Sequence, residues 1–375
     1  MQRLAVTSLT HDRTKLASAL AGVAFATTLV ITQAGIYSGF VANSSAIIRH
    51  AGGDVWIMAR GTRVVDFGET LSPGARSAVM AHPCVERVRP LTFTFVPLRK
   101  KTGGFDSMQI LGFELDEKGP VLPWSLSQGL SHDLEEPMSI AVDEGDVGKL
   151  ELPANPLGAT MEIRGRLVRV AAVTRGIRAF TLQPYGFSSI RTARRLSGIA
   201  DGRATFLVAD LREPSCAPSV IQAAERWPEL QAMTTEKFAT TTERYWVNGS
   251  GAGAVLGFST LLGLVVGVVI VGQTLYSMTK DYEPELATLK AMGASRGELA
   301  SFVGWQAAFL GCLGAALGTV LALGLRRLVE GAGLVVVLSS TVLLGSYLAI
   351  VFMCSTASIG SMRRVLSLEA GQVFK

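Results

Sequence analysis

Residues 252–278 read AGAVLGFSTLLGLVVGVVIVGQTLYSM, an apolar run with no charged side chain. A bilayer core is about 30 Å thick and takes roughly 20 apolar residues in helix to cross. Helices buried in soluble proteins rarely stay uncharged for so long, so this stretch reads as a membrane span. Three more stretches meet the same test: residues 16–37, 299–325 and 334–358. The chain has 375 residues, of which 49% are hydrophobic and 17% charged, against about 25% charged in ordinary soluble domains. Its mean hydropathy is +0.36. The apolar excess sits at the start and in the last third, while the middle reads like soluble protein.

The first apolar segment has a second reading, a cleaved signal peptide, because Arg13 and Lys15 stand just before it. It is longer than the 7–15-residue core of a signal, and no clear small-x-small site follows it. An uncleaved anchor is therefore expected. Lysine and arginine near span ends set orientation. Arg3, Arg13 and Lys15 precede the first span; Lys280, Lys290 and Arg296 lie between the second and third; Arg363, Arg364 and Lys375 follow the fourth. These share one side if both termini are cytoplasmic. Arg326 and Arg327 fall on the other side, against the rule, as a minority. The net charge of +5 belongs to these flanks and so to topology, not to nucleic-acid binding.

The fold class expected is an integral membrane protein of four transmembrane α-helices, with a large α+β extracytoplasmic domain between the first and second. The boundaries are a cytoplasmic N-terminus with the first span (1–42), the extracytoplasmic domain (43–248) and the second span (249–279). A cytoplasmic loop (280–298), the third span (299–327), a short outer loop (328–333) and the fourth span with a cytoplasmic tail (334–375) follow. Gly263 with Gly267, and Gly314 with Gly318, have GxxxG spacing, which suits close helix contact; they are candidates for a dimer interface. Glycine is also simply common in membrane helices.

In the middle region, residues 72–81 read as a helix with Ser72 as N-cap and Pro73 in its first turn. Residues 88–98 and 107–113 read as strands joined by the polar turn 100–104. Residues 161–173 read as a hairpin turning at Gly165, with Ile163, Leu167, Val168 and Val170 inward. Residues 205–209 read as a strand, and 217–226 and 235–245 as helices. Cys84 and Cys216 both fall here and are free to pair if the domain is exported. Cys312 and Cys354 lie inside spans.

No catalytic or metal set stands out. His50, His82 and His132 are isolated, and no HxxxH or HExxH spacing occurs. Asp143, Glu144 and Asp146 around Gly145 read as a solvated turn rather than a calcium loop. Residues 145–149 lack the glycine spacing and the Ser or Thr of a phosphate-binding loop. The chain is thus expected to be no enzyme, with no cofactor and no metal of its own.

The loop 280–298 reads KDYEPELATLKAMGASRGE. Asp281 is placed to cap a short helix, Pro284 suits its first turn, and Glu283 and Glu285 favour the positive end of its dipole. Gly293 is placed to end it, and Ser295 with Glu298 forms a capping box that opens the third span. Leu286, Leu289 and Met292 fall close to one face, which meets either a cytosolic partner or the lipid headgroups.

Residues 285–295, ELATLKAMGAS, resemble the E-[IL]-A-T-L-[RK]-A-[ILM]-G-A-S signature of the MacB/FtsX-like ABC permeases. The layout of one span, a large domain and three spans is similar to that family's. Residues 53–58, GDVWIM, resemble its "aDlWvv" entry strand. The tail 366–375, LSLEAGQVFK, resembles the family's endings and is nearest the E-P-A-x-V-F ending of the DevC-like branch, with Ala370-Gly371 in place of Pro-Ala.

The resemblance implies that 280–298 carries the coupling helix that docks an ATPase, with Glu283, Glu285, Leu286, Leu289, Lys290, Met292 and Gly293 at the docking site. It implies a homodimer of permeases with two ABC ATPase subunits, ATP and Mg residing in the latter. It places the chain in a bacterial inner membrane, surrounded by lipids, with no nucleic-acid partner. Motion passed to the extracytoplasmic domain would export or extract a lipid-like or other hydrophobic substrate. The DevC-like ending implies a periplasmic adaptor and an outer-membrane channel. The alternative is FtsX-like signalling to extracytoplasmic cell-wall hydrolases.

Overall fold

The computed structural model describes residue 7 and residues 13–115, 124–177, 183–331 and 334–367; the side chains at 283, 285 and 357–367 lie outside that description. The chain divides into two units, Phe40–Gly251 and a helical unit of Met1–Gly39 with Ala252–Lys375. The first long helix, α1 (Arg13–Ser44), begins three residues before the expected span and runs seven beyond it.

In the α+β unit, the short helix α2 (Ala46–Ala51) leads into strand β1 (Val55–Ala59). Gly53 makes the turn at φ +76°, and a Cβ there would lie 2.2 Å from Val208 Cγ1, so only glycine fits. Along β1, Trp56 and Met58 join one core with Leu111, Phe206 and Phe238, while Val55 and Ile57 join another with Val79, Leu207 and Val220. A strand buried on both faces shows no polar alternation, which is why it reads as a continuous apolar run.

The unit continues with α3 (Gly74–Met80), β2 (Val85–Arg99), β3 (Phe105–Phe113), β4 (Leu126–Gln128), β5 (Ser139–Asp143), β6 (Thr160–Ile163) and β7 (Arg166–Thr174). After these come β8 (Tyr185–Ser189), α4 (Ile190–Ser197), β9 (Phe206–Leu211), α5 (Ala217–Ala224), β10 (Leu230–Thr234) and α6 (Thr235–Arg244). The strands form one ten-stranded sheet of order β10-β1-β9-β2-β3-β8-β5-β7-β4, with β6 pairing β2 and β7. β3 runs parallel to β8, and β5 to β7.

Both expected hairpins form, the second turning at Gly165 with φ +72°. Leu167 is 71% exposed, whereas Ile163, Val168 and Val170 are buried. Neighbours on a strand point to opposite faces, so Leu167 and Val168 never both point inward. The acidic turn is solvated only at Glu144 and Gly145. Asp143 is buried and accepts hydrogen bonds from the Gly145 and Ile177 amides and the Thr174 hydroxyl; Asp146 is buried and pairs with Lys149 at 3.0 Å. Cys84 and Cys216 form a disulfide with their Cα atoms 6.1 Å apart.

In the helical unit, α7 (Ala252–Asp281), α8 (Glu283–Ala291), α9 (Arg296–Gly331) and α10 (Ser340–Ser367) follow α1. By length and composition α1, α7 and α9 are able to cross a membrane; the apolar helix Ser340–Thr356 within α10 is shorter. Residues 334–339, expected to open the fourth span, are not helical. Their run of β-branched Val335, Val336 and Val337 disfavours helix. The Val337 amide donates to the Gly35 carbonyl at 3.0 Å, and Ser339 Oγ accepts from the Val342 amide at 3.3 Å, capping α10. α9 runs past residue 327, with Arg326 pairing with Glu330 one turn on at 2.7 Å.

The four glycines read as a dimer interface face helices of this same chain. A Cβ at Gly314 would lie 2.5 Å from Val23 Cγ1, and one at Gly318 would lie 2.5 Å from Thr27 Cβ. At Gly267 it would meet Met353 Cε at 2.7 Å and Ala26 Cβ at 3.7 Å, and at Gly263 Gln33 Cγ at 3.4 Å. GxxxG spacing marks where a helix approaches closely but not which helix; here α1 and α10 take the places.

In the α+β unit, Asp66 is buried and its Oδ2 accepts a hydrogen bond from Trp246 Nε1 at 3.1 Å. Burial pushes this carboxyl from the ordinary value of 3.8 up to about 6, outweighing the Trp246 bond, which lowers it. The native state therefore holds a proton that an unfolded chain releases near pH 4, so this group's contribution to stability falls as pH rises from about 4 to 6. Denaturant unfolding followed by tryptophan fluorescence should show Asp66→Asn gaining on the parent chain across that window. A gain on the order of 2–3 kcal/mol is expected at pH 7. A gain that is flat between pH 4 and 7 would contradict the assignment.

Candidate functional site

Only Tyr282 separates α7 from α8. Its amide donates to the Met278 carbonyl at 3.2 Å, and its carbonyl accepts from the Leu286 amide at 3.0 Å, so the backbone bonding is nearly unbroken. Tyr282, not Asp281, is the N-cap residue, and its side chain makes no capping bond. Asp281 instead ends α7, because a charged residue is well tolerated where a span leaves the lipid. Pro284 sits in the first turn of α8 as the sequence suggested.

The far end is closed by a Schellman motif. The Ala294 amide donates to the Leu289 carbonyl at 3.0 Å and the Gly293 amide to the Lys290 carbonyl at 3.1 Å. Gly293 adopts φ +98°, which this motif demands at that position. A capping box follows at once: the Ser295 amide donates to Glu298 Oε2 at 2.8 Å, and the Glu298 amide donates to Ser295 Oγ at 3.2 Å. A start tied into α7 and a stop tied into α9 hold α8 in a fixed rotation.

That rotation differs from the one the leucine spacing suggested. Leu286 is 1% exposed and packs among Leu275, Met278, Leu299, Phe302 and Val303. Ala287 is buried, and Leu289 is half-buried against the same cluster. Met292 is 73% exposed. The inward set is Tyr282, Leu286 and Leu289, an i, i+4, i+7 series. Steps of three drift backwards, so Met292 lies about 120° round the helix axis from Leu286. Of the expected docking residues, Leu286 therefore serves the chain's own core, while Met292 and Gly293 are exposed and Lys290 is half-buried. The side chains of Glu283 and Glu285 lie outside the described residues.

Pro284, Thr288 and Ala291 share the exposed side with Met292. Sequence reasoning missed them, and missed Tyr282 as the inward anchor; the aromatic four residues before Leu286 was the available signal. Lys15 Nζ of α1 lies 5.7 Å from the Tyr282 ring centroid, a cation–π contact that ties α8 to α1 as well. The exposed side is small, weakly polar and without described charge, suited to shape-complementary docking and not to acid–base chemistry.

Residues 16–226 match the MacB-like periplasmic core domain, and residues 257–370 match the FtsX-like permease C-terminal region. The chain belongs to the MacB/FtsX-like family of ABC transporter permeases. Two uncharacterized ABC transporter permeases of Mycobacterium tuberculosis, from strains CDC 1551 and H37Rv, are each 24% identical to it over 358 residues. Each alignment spans 94% of this chain and 93% of theirs. The crystal structure of the periplasmic region of MacB from Actinobacillus actinomycetemcomitans aligns at 17% identity and a TM-score of 0.40, over 52% of this chain and 95% of that one. The extracellular domain of the noncanonic ABC-type transporter YknZ from Gram-positive bacteria aligns at 12% identity and a TM-score of 0.37, over 48% and 98%. The β1 entry strand falls inside the first matched region and α8 inside the second.

The burial pattern sets a stability contrast. Leu286→Ala should lower the stability of the full chain in detergent by about 2–5 kcal/mol. Met292→Ala should stay within about 0.5 kcal/mol of the parent. Thermal unfolding measures both, and equal losses would contradict the rotation of α8.

Proposed function

We propose that this permease works as half of a transporter, in which two copies assemble with two copies of a separate ABC ATPase and α8 is the element the ATPase grips. ATP and Mg belong to that partner, and this chain converts the partner's closure into movement of its own spans and MacB-like domain. The observation that carries this reading is the two-sidedness of α8. Tyr282, Leu286 and Leu289 fix it to the helical unit, while Pro284, Thr288, Ala291 and Met292 stand bare. A helix anchored on its inner side passes a push to the spans it is anchored to.

In this reading α10 is the fourth span, and both termini are cytoplasmic in a bacterial inner membrane. The basic residues at Arg13, Lys15, Lys280, Lys290, Arg296, Arg363 and Arg364 support that orientation. The Cys84–Cys216 disulfide accords with a MacB-like domain in an oxidising compartment. α1 is a retained anchor, since its Val23 and Thr27 fill the notches at Gly314 and Gly318.

The substrate is lipid-like or otherwise hydrophobic and is handled by the MacB-like domain. In support, the charged residues of α7, α9 and α10 stand near the helix ends, leaving no charged lining for a polar path through the spans. A periplasmic adaptor and an outer-membrane channel complete the route. Their support is the DevC-like ending, of which residues 368–375 lie outside the described residues.

The test is ATP turnover of the reconstituted permease–ATPase complex. Ala291→Asp and Met292→Asp place a charge on the bare side and should each cut permease-stimulated turnover by tenfold or more, about 1.4 kcal/mol of docking energy. Their unfolding temperatures should match the parent. Parent-like turnover in both variants would put the docking surface elsewhere.

A further inference from the structure

Beside α8, where α1 approaches the end of α7, lies a cavity of about 270 Å³. Lys15 and Ser18 of α1 line it together with Gln273, Ser277 and Asp281 of α7. On α7 these polar residues recur at i, i+4 and i+8, so one stripe of an otherwise apolar helix turns polar over its last turns. Crossing a membrane does not require such a stripe. Ile270 and Met278 supply apolar wall beside it. The Thr274 and Ser18 hydroxyls are already engaged, donating to the Ile270 carbonyl at 2.8 Å and to the Lys15 carbonyl at 2.9 Å. The contact with the Tyr282 ring holds the Lys15 ammonium at the α8 side of this region.

A single small cavity therefore presents one cation, one anion, the Ser277 hydroxyl and the Gln273 amide. A purely anionic ligand would be repelled by Asp281, and a purely cationic one by Lys15. A zwitterion meets both. The volume falls just below the range of about 300–1,000 Å³ typical of sites for drug-sized molecules, so it suits a headgroup and not a whole lipid. The cavity opens at the end of two long apolar helices, where a phospholipid headgroup would lie.

We propose that this cavity binds the headgroup of a phospholipid carrying a primary ammonium. The phosphate sits against Lys15 and the Ser277 hydroxyl, as a charge-assisted contact, and the ammonium donates to Asp281. A choline headgroup carries the same phosphate but has no N–H to give, so Asp281 would sort one from the other. A lipid held there braces α1 against α7 directly beside α8, which couples membrane composition to the helix proposed to receive the ATPase. The inference rests on α1 and α7 lying in a membrane, not on the docking role of α8.

Native mass spectrometry of the full chain tests this, using phosphatidylethanolamine, phosphatidylcholine and phosphatidylglycerol with identical acyl chains. The parent chain should retain phosphatidylethanolamine at least fivefold better than either of the others. Asp281→Asn should bring that retention down to the phosphatidylcholine level, and Ser277→Ala should weaken both. Equal retention of the ethanolamine and choline lipids by the parent chain overturns the proposal without relying on any variant. Displacement of the lipid by soluble phosphoethanolamine at equal concentration would assign the cavity to a free headgroup and overturn the lipid form. Loss of ATPase docking leaves this readout unchanged, so the two readings fail separately.

Discussion

Lipid chains are as apolar as leucine, so helices in a bilayer associate where they fit and not because water drives them together. In this chain α1 supplies the fit. Val23 and Thr27 sit where a Cβ on Gly314 or Gly318 would stand, Thr28 Oγ1 reaches the Gly318 carbonyl at 3.1 Å, and Ala26 lies against Gly267. The same face carries Val23, Ala26 and Val30 into the core of the helical unit with Val271, Leu310 and Met353. Gly35 then accepts a backbone bond from Val337, which ties the non-helical residues 334–339 to α1. Larger side chains at these glycines would part α1 from its partners and expose carbonyls to lipid.

The fixed rotation of α8 follows from that packing. Leu286 finds its pocket among Leu275, Met278, Phe302 and Val303, so α7 and α9 must already be in register before α8 has a place. The Schellman turn and capping box then hand the chain directly to α9. Little slack remains between α8 and the spans, and the proposed transmission of force depends on that stiffness. The cavity at Lys15 and Asp281 borders the same joint, so a bound headgroup would act on it from the lipid side.

Much of this was legible in the sequence, and the failures have physical causes. The apolar runs of α1, α7 and α9, the hairpin at Gly165 and the Ser295–Glu298 box are local patterns whose meaning does not depend on distant residues. Burial direction depends on partners that local pattern does not contain. Spacing alone groups Leu286, Leu289 and Met292, but the buried arc is set by where α7 and α9 lie. Gly314 and Gly318 announced a close contact without naming α1. Residues 334–339 matched the hydropathy of a span, yet three valines and a backbone partner at Gly35 kept them out of helix. Asp143 and Asp146 read as solvated because their hydrogen-bond and ion-pair partners, Ile177 and Lys149 among them, are fixed by folding.

The central claim is that α8 turns Met292 outward on the cytoplasmic side and Leu286 inward. Cysteines introduced one at a time at these positions, on a Cys312→Ser background that keeps the buried Cys354 and the Cys84–Cys216 disulfide, measure it directly with a membrane-impermeant maleimide. In inverted membrane vesicles Met292→Cys should label rapidly and Leu286→Cys hardly at all, and neither should label in right-side-out vesicles. Rapid labelling of Leu286→Cys would contradict the rotation of α8, and labelling of Met292→Cys only from the opposite face would contradict its placement at the cytoplasm.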